Sequence, residues 1–456
     1  MDAQLKEELL RKDRQYVWHP FTQMKDYETQ DHVLIERAEG MFLYDADGKA
    51  YYDTVSSWWS NVHGHGHPRI KEAIARQLEQ TDHVMFSGLT HRPGIELAEK
   101  LVEIAPQGLH KVFYSDNGST AVEVALKMSF QYWQQIGRKT KTRFVFMDNS
   151  YHGDTIGAVS VGGVELYHAL FKPMLFRAYR VPSPDARALG RERTPEREAA
   201  LAADALEAVR ALLAERAEEI AGIIVEPMIQ AAGGMVMYPA AYLAGLRELC
   251  AQYDVHLIAD EVATGFGRTG TMFACEHAGI SPDILCVSKG LTAGVMPLAA
   301  TLCRDGIYEA FYDDYATQKT FFHGHSFTGN PVAASVALAS LRVFEEERVL
   351  ERAREASAAL AEELRSIAVQ PHVANVRQLG HIAAFDLYRD AASRTPFPPE
   401  RRIGYQAYLA GLEHGLILRP LGDTLYYWLP LCVAKDQIRD IVARTVKVLR
   451  SLDRAN

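Results

Sequence analysis

The stretch DILCVSKGLTAG, Asp283 to Gly294, ends an apolar run in a lysine, Lys289, held between Ser288 and Gly290. Burying an unpaired lysine is costly, so a lysine at the mouth of a buried strand either snorkels to solvent or is kept for its chemistry. A second apolar run, VHLIADE, ends at Asp260 and Glu261, and a third, GIIVEP, ends at Glu226. A carboxylate at the end of a buried strand needs a cation or N–H groups beside it, or it takes up a proton. A structural ion pair satisfies that need, and Glu226 is read that way. Asp260 has a second use together with Lys289: an amine to engage an aldehyde, and a carboxylate to keep a ring nitrogen protonated, are what pyridoxal phosphate asks of a protein. A lysine desolvated beside such a cofactor has a lowered pKa, which makes it a nucleophile and then a proton carrier. Gly290 leaves the cofactor room.

Two further segments fit this chemistry. The run KVFYS leads into Asp116, Asn117, Gly118, Ser119 and Thr120, where a glycine and two hydroxyls open a helix and offer free N–H groups and a positive dipole end to a phosphate. Taken alone, that segment reads more simply as a plain Asn or Ser cap. In NSYHGDT, Tyr151 follows the run RFVFM, where its face could stack on a pyridine ring or pack in the core.

Other motifs compete. GFGRTG, Gly265 to Gly270, matches a dinucleotide fingerprint, but that fingerprint needs the strand to turn straight into its first glycine. Asp260 and Glu261 intervene and would repel a pyrophosphate. HGHGHP, with His63, His65 and His67, joined by His323 and His325, raises a metal-dependent hydrolase as an alternative of another class. Alternate residues in a glycine-rich loop set no ligand geometry, so turn and hydrogen-bonding roles are expected for these histidines and no metal.

The elements that must position these groups are short β-rich runs alternating with helical ones. KVFYS is followed by GSTAVEVALKMSFQYWQQIG, whose Val122, Ala125, Leu126 and Ser129 recur at helical spacing; RFVFM, GIIVEP, VHLIADE and ILCVS follow with helices between them. The alternation predicts an α/β fold with a mostly parallel sheet covered on both faces, and ligands in such sheets bind beyond the carboxyl ends of the strands. The Arg/Glu/Ala-rich segment from Pro182 to about Ala221 predicts a loop and an exposed helix, and RDAASRTPFPPERR, Arg389 to Arg402, a surface loop. After Pro331 a long Ala/Ser/Leu helix and mixed elements suit a smaller second domain.

The chain has 456 residues, 48% apolar and 23% charged, which suits an ordinary globular protein of two domains. Its 49 basic and 58 acidic residues are scattered, giving a net charge of −9 and no basic block for a nucleic-acid backbone. The charged opening MDAQLKEELLRKDRQ has no signal-peptide core, and nowhere do eighteen apolar residues run together, so a cytoplasmic protein with no membrane partner is expected. Five widely spaced cysteines predict reduced thiols rather than disulfides.

LIADEVATGFGRTG followed by PDILCVSKGLTAG resembles the signature of class III pyridoxal-phosphate aminotransferases, through the combination of Asp260, Arg268 and Lys289, and the likeness covers nearly the whole chain. It implies fold type I: residues 61–330 as a large cofactor domain, residues 1–60 and 331–456 as a small α+β domain built from both termini, and a homodimer. By the same resemblance Lys289 carries the cofactor, Asp260 holds its pyridine nitrogen, and Gly118 with Ser119 forms the phosphate cup. His325 and Ser326 match the place where the neighbouring subunit closes over the phosphate. Trp58 and Tyr151 match walls of the substrate pocket, Gly324 lines it, Tyr426 occupies a further pocket position, and Arg419 in LILRPLGD matches the arginine that takes a substrate carboxylate. Trp58 and Trp59 would then line an apolar channel, or else pack in the core.

Within the class, WHPFTQM, VSSWWSNVHGHGHP, HVMFSGLTH, YHGDTIGAVSV and TFFHGHSFTGNP most resemble the biotin-pathway branch. That implies transfer of an amino group from a small-molecule donor to a keto-acid acceptor, 8-amino-7-oxononanoate, giving 7,8-diaminononanoate; transfer from another ω-amine or ω-amino acid to pyruvate is the alternative within the class. Where adenosylmethionine-using members carry a tyrosine, this chain has Phe21, and where they carry a proline it has His325. The missing phenol removes a hydrogen-bond partner from the donor site and brings lysine in as a competing amino donor to S-adenosylmethionine.

Overall fold

In this computed structural model, residues 1–190 and 193–454 are described; Arg191 and Glu192, within the Pro182–Ala221 segment, and the last two residues lie outside the described residues. The apolar runs form a seven-stranded sheet in the order Leu109–Ser115, Ala299–Arg304, Ile284–Val287, His256–Asp260, Ile220–Val225, Arg143–Met147, Tyr179–Val181. Every pairing is parallel except those of Ala299–Arg304, which runs antiparallel to both neighbours. The strands Ile220–Val225, His256–Asp260 and Ile284–Val287 are buried along their whole length, which is why they read as unbroken apolar runs. Asp260 lies alongside Cys286, and Ala259 alongside Val225. The carboxyl ends at Val225, Asp260 and Val287 therefore open onto one edge of the sheet.

Two strands of this sheet escape the sequence reading. Tyr179–Val181 is three residues long, too short for alternation to show, and Ala299–Arg304 is rich in small residues. The Pro195–Arg216 helix also departs from expectation. It buries Ala202, Ala205, Val209 and Leu213 against a core that includes Tyr242, Leu243 and Leu246, because its alanines permit close approach while its arginines and glutamates face outward. In the Arg389–Arg402 loop, Asp390 pairs with Thr395 and Phe397 is buried as an anchor.

Two antiparallel three-stranded sheets flank the large one: Ile35–Glu39, Phe42–Asp45 and Ala50–Tyr52 near the start, and Val373–Leu379, Ile382–Leu387 and Thr424–Trp428 near the end. Both ends of the chain share a core in which Met41 and Tyr52 pack with Phe385, Tyr427 and Leu449. The helix Pro331–Glu346 instead buries Ala333, Ala337 and Leu341 with Leu97, Val287 and Leu291. All five cysteines are free thiols, four of them buried. Among the described residues no helix is long and apolar enough to cross a membrane.

One turn breaks backbone rules. Ser56, Ser57, Trp58 and Trp59 are all left-handed, with φ of 51°, 44°, 74° and 70°. Each costs an L-residue about 1–2 kcal/mol relative to the right-handed form. Lys289, with φ 46°, shares that conformation.

Candidate active site

The polar residues at the strand ends meet in a cleft of about 430 Å³, lined by Trp59, Asn117, Gly118, Ser119, Tyr151, Asp260 and Lys289 among others. Lys289 begins a short helical turn directly after the strand Ile284–Val287 and Ser288. Its amine makes no hydrogen bond or ion pair among the described residues and lies 5.1 Å over the ring of Trp59. Burial lowers its pKa below that of an ordinary lysine, against the opposing pull of the Asp260 and Glu226 carboxylates.

Asp260, only 4% exposed, accepts a hydrogen bond from the amide of Val262 at 3.1 Å, and its other oxygen lies 2.7 Å from His152 Nδ1. His152 Nε2 is buried with no hydrogen-bond partner among the described residues. The imidazole thus fixes the carboxylate's rotamer. Sequence reading passed over His152; its partner lies 108 positions away, and the only signal was its place beside Tyr151 in the same strand-end loop.

Glu226 corrects the expectation of an ion pair. Its two oxygens accept the backbone amides of Tyr151 at 2.9 Å and Ala231 at 3.0 Å, and no cation pairs with it among the described residues. Burial pushes its carboxyl up to about 7. It anchors the backbone of Tyr151. The Tyr151 phenol donates to Asp154 at 2.7 Å, and its ring lies parallel to that of His168, 6.4 Å away.

Asn117 caps the helix Gly118–Gln135, accepting from the amide of Thr120 while the Thr120 hydroxyl bonds back to the cap, so the plain capping role is real. It does not exhaust the segment. A Cβ on Gly118 would meet Val262 Cγ1 at 2.5 Å, and one on Gly153, with φ +119°, would meet Ser119 Oγ at 1.9 Å. Ser119 Oγ accepts the amide of Asp154 at 3.2 Å, which leaves its own proton for an acceptor in the cleft. An unpartnered amine, a carboxylate held in place and a side-chain-free helix start around one cleft fit pyridoxal phosphate.

Beyond this cleft an aromatic wall continues. Trp58, 37% exposed, lies 4.2 Å beneath the Arg419 guanidinium and edge-on to Phe21 at 5.7 Å; Phe21 in turn meets Tyr167. Trp59 is buried, stacked on Trp428 and donating to the Tyr426 hydroxyl at 3.0 Å, so core packing and cleft lining coincide in it. Burial raises the Tyr426 phenol's pKa, while Arg419 beside it pulls the other way.

Gly324, His325 and Ser326 are not among the residues lining this cleft. His325 Nδ1 lies 2.9 Å from Asp116 Oδ2 without hydrogen-bond geometry. His63, His65 and His67 face three different partners, Ser340, Asp53 and Glu347. Arg268 of GFGRTG is fully buried and donates to Leu429 and Asn61 carbonyls, binding that loop to the core. A larger cleft of about 650 Å³ lies at the sheet edge beside Tyr179, lined by Arg143, Lys172, Glu165 and Glu219, apart from the lysine–aspartate pair.

The chain matches the family Aminotransferase class-III over residues 24–449. It is 48% identical over 432 residues to adenosylmethionine-8-amino-7-oxononanoate aminotransferase of Geobacter sulfurreducens, covering 94% of each chain. The protein of the same name from Anoxybacillus flavithermus is 48% identical over 437 residues, covering 96% of this chain and 95% of that one. Among solved structures, that of adenosylmethionine-8-amino-7-oxononanoate aminotransferase from Methanocaldococcus jannaschii is similar at a TM-score of 0.92 with 40% identity, over 98% of this chain and 99% of that one. The omega transaminase from Pseudomonas jessenii in complex with PMP is similar at 0.90 with 33% identity, over 98% of both chains.

Proposed function

Since the chain belongs to the class-III aminotransferases, we propose that it transfers an amino group to 8-amino-7-oxononanoate, making 7,8-diaminononanoate for biotin. It is an aminotransferase whose cofactor is pyridoxal 5'-phosphate. When bound, that group supplies an aldehyde to receive the amino group and a ring that accepts electrons from the reacting carbon.

The residues take the following parts. Lys289 carries the cofactor and, with its lowered pKa, holds or releases the proton at the carbon where the amino group enters and leaves. Asp260 stabilises a protonated ring nitrogen, and His152 keeps its carboxylate aimed. The amides of the helix start at Gly118 and Ser119 bind the phosphate, and Tyr151 walls the ring and excludes water. At the far end, Arg419 pairs with the acceptor's carboxylate beside Tyr426, and Trp58 lies along its aliphatic chain. The observation that carries this reading is the guanidinium set over Trp58 at the end of an aromatic wall that starts from Lys289 and Trp59.

Adenosylmethionine, which the relatives' names give, is the proposed donor. Lysine is the second reading, favoured by Phe21, whose ring offers the donor no hydroxyl; one absent hydrogen bond costs about 1 kcal/mol and is readily offset. The proposed division is residues 61–330 as the cofactor domain and 1–60 with 331–456 as the small domain, whose first helix, Pro331–Glu346, packs on the cofactor domain beside Leu97, Val287 and Leu291. The working unit is a cytoplasmic homodimer in which Gly324, His325 and Ser326 serve the neighbouring subunit's cleft.

The test is product formation from the keto acid with each donor alone at matched concentration. Diaminononanoate formed with adenosylmethionine supports the reading; product with lysine alone moves the donor to lysine. No product with either, but turnover of ω-amines with pyruvate, overturns it.

A further inference from the structure

We propose that Asp53 is a positioning residue that holds Ser56–Trp59 in the left-handed form and so places Trp58 beneath Arg419 and Trp59 beneath Lys289. The proposal rests on the reading of Arg419 and Trp58 as the acceptor end of the site. Neighbouring tryptophans serve the two ends of one channel: Trp58 stacks at 4.2 Å under the guanidinium, and Trp59 lies 5.1 Å from the Lys289 amine. A backbone conformation that L-residues avoid must be enforced from outside the turn.

Asp53 supplies that constraint. It is fully buried, and its Oδ1 accepts the Ser57 amide at 2.8 Å while its Oδ2 accepts the Ser57 hydroxyl at 2.7 Å. The same Oδ2 lies 2.8 Å from His65 Nε2, which fixes the carboxylate in turn. One side chain thereby satisfies both hydrogen-bond donors of the residue at the middle of the strained turn, whose carbonyl accepts from the Ser60 hydroxyl. Arg268 closes the other side, donating to Ser56 Oγ at 3.2 Å, while Ser56 Oγ itself donates to the Trp428 carbonyl. No residue of the turn is a glycine, so nothing in its own composition favours φ > 0.

The experiment compares the cofactor-loaded wild type with Asp53→Ala, Asp53→Asn and the double variant Asp53→Ala/Ser57→Gly. Asp53→Ala should raise KM for 8-amino-7-oxononanoate about tenfold while kcat changes less than about threefold, with Asp53→Asn between. Its near-ultraviolet circular dichroism should lose tryptophan intensity. Glycine at position 57 adopts the left-handed form without penalty, so the double variant should recover most of both losses. A purely structural loss of a buried charge would not be cured that way. An Asp53→Ala enzyme with wild-type KM and spectrum, or a double variant with no recovery, overturns the proposal. Should Asp53→Ala not fold, Asp53→Asn with and without Ser57→Gly carries the same comparison. If the wild type itself shows no preference for the keto acid over an equally long ketone without the carboxylate, the reading of the acceptor end fails, and the spectra still decide the part of Asp53.

Discussion

On the proposed role of Asp260, Asp260→Asn keeps a hydrogen-bond partner for a ring nitrogen but not the negative charge that would stabilise its protonated form. The cofactor should stay bound while turnover falls roughly a hundredfold or more, read as kcat of the loaded protein; near-normal kcat would reduce Asp260 to a structural role. Arg419→Ala should slow the keto-acid half-reaction roughly ten- to a hundredfold and leave the donor half-reaction much less changed, as stopped-flow absorbance would report. Glu226 gives a pH signature. Its folded carboxyl is raised to about 7 from 4.5, so between those values the folded chain keeps a proton that the unfolded chain has released. Stability therefore falls as pH rises through that window, by about 3 kcal/mol in all. Glu226→Gln cannot ionise, and its amide must face one of two N–H groups with its own N–H, so it starts less stable. Its melting temperature deficit in the cofactor-free protein should narrow between about pH 5 and about pH 8, and a constant deficit would show ordinary titration. Lys289 and Asp260 were legible in sequence because both end apolar runs, where an ionisable group demands a reason. His152 and the true partners of Glu226 were not, since a carboxylate satisfied by backbone amides, or paired across 108 positions, leaves no local pattern.

The site's precision comes from elements that end at one edge. Parallel strands with Asp260 and Cys286 in register put the aspartate and the lysine turn side by side, and the helix Gly118–Gln135 aims its amides at the same cleft. That helix start tolerates no side chain. Gly118→Ala, whose Cβ would meet Val262 Cγ1 at 2.5 Å, should release cofactor on dialysis about tenfold faster than the wild type, read from the loss of yellow absorbance. Gly306→Ala, with nothing within 4 Å of its Cβ, is the control, and equal retention by the two would remove the phosphate cup from that position. The buried parallel strands could be read from the chain because two-sided burial makes them continuously apolar. The Tyr179–Val181 and Ala299–Arg304 strands could not, one being too short and the other too poor in large residues. The outward arginines and glutamates of Pro195–Arg216 concealed the alanine face by which it packs.

At the scale of the molecule, a cleft without Gly324, His325 and Ser326 and a segment with large exposed aromatics point the same way. Tyr315 is 93% exposed, Phe322 77% and Phe327 63%, so this stretch offers large aromatic side chains to a partner surface. Sedimentation should give twice the 50.9 kDa chain mass, with Phe322→Asp shifting it to the single-chain mass and weakening cofactor retention; an unchanged dimer would place the interface elsewhere. The fold brings both termini into one core beside the large sheet, a non-local arrangement that only the resemblance to known aminotransferases made legible beforehand. The most direct test is borohydride reduction of the yellow protein followed by peptide mapping: the cofactor should be fixed to the peptide that contains Lys289, and a label on any other lysine would remove the chemistry from this cleft.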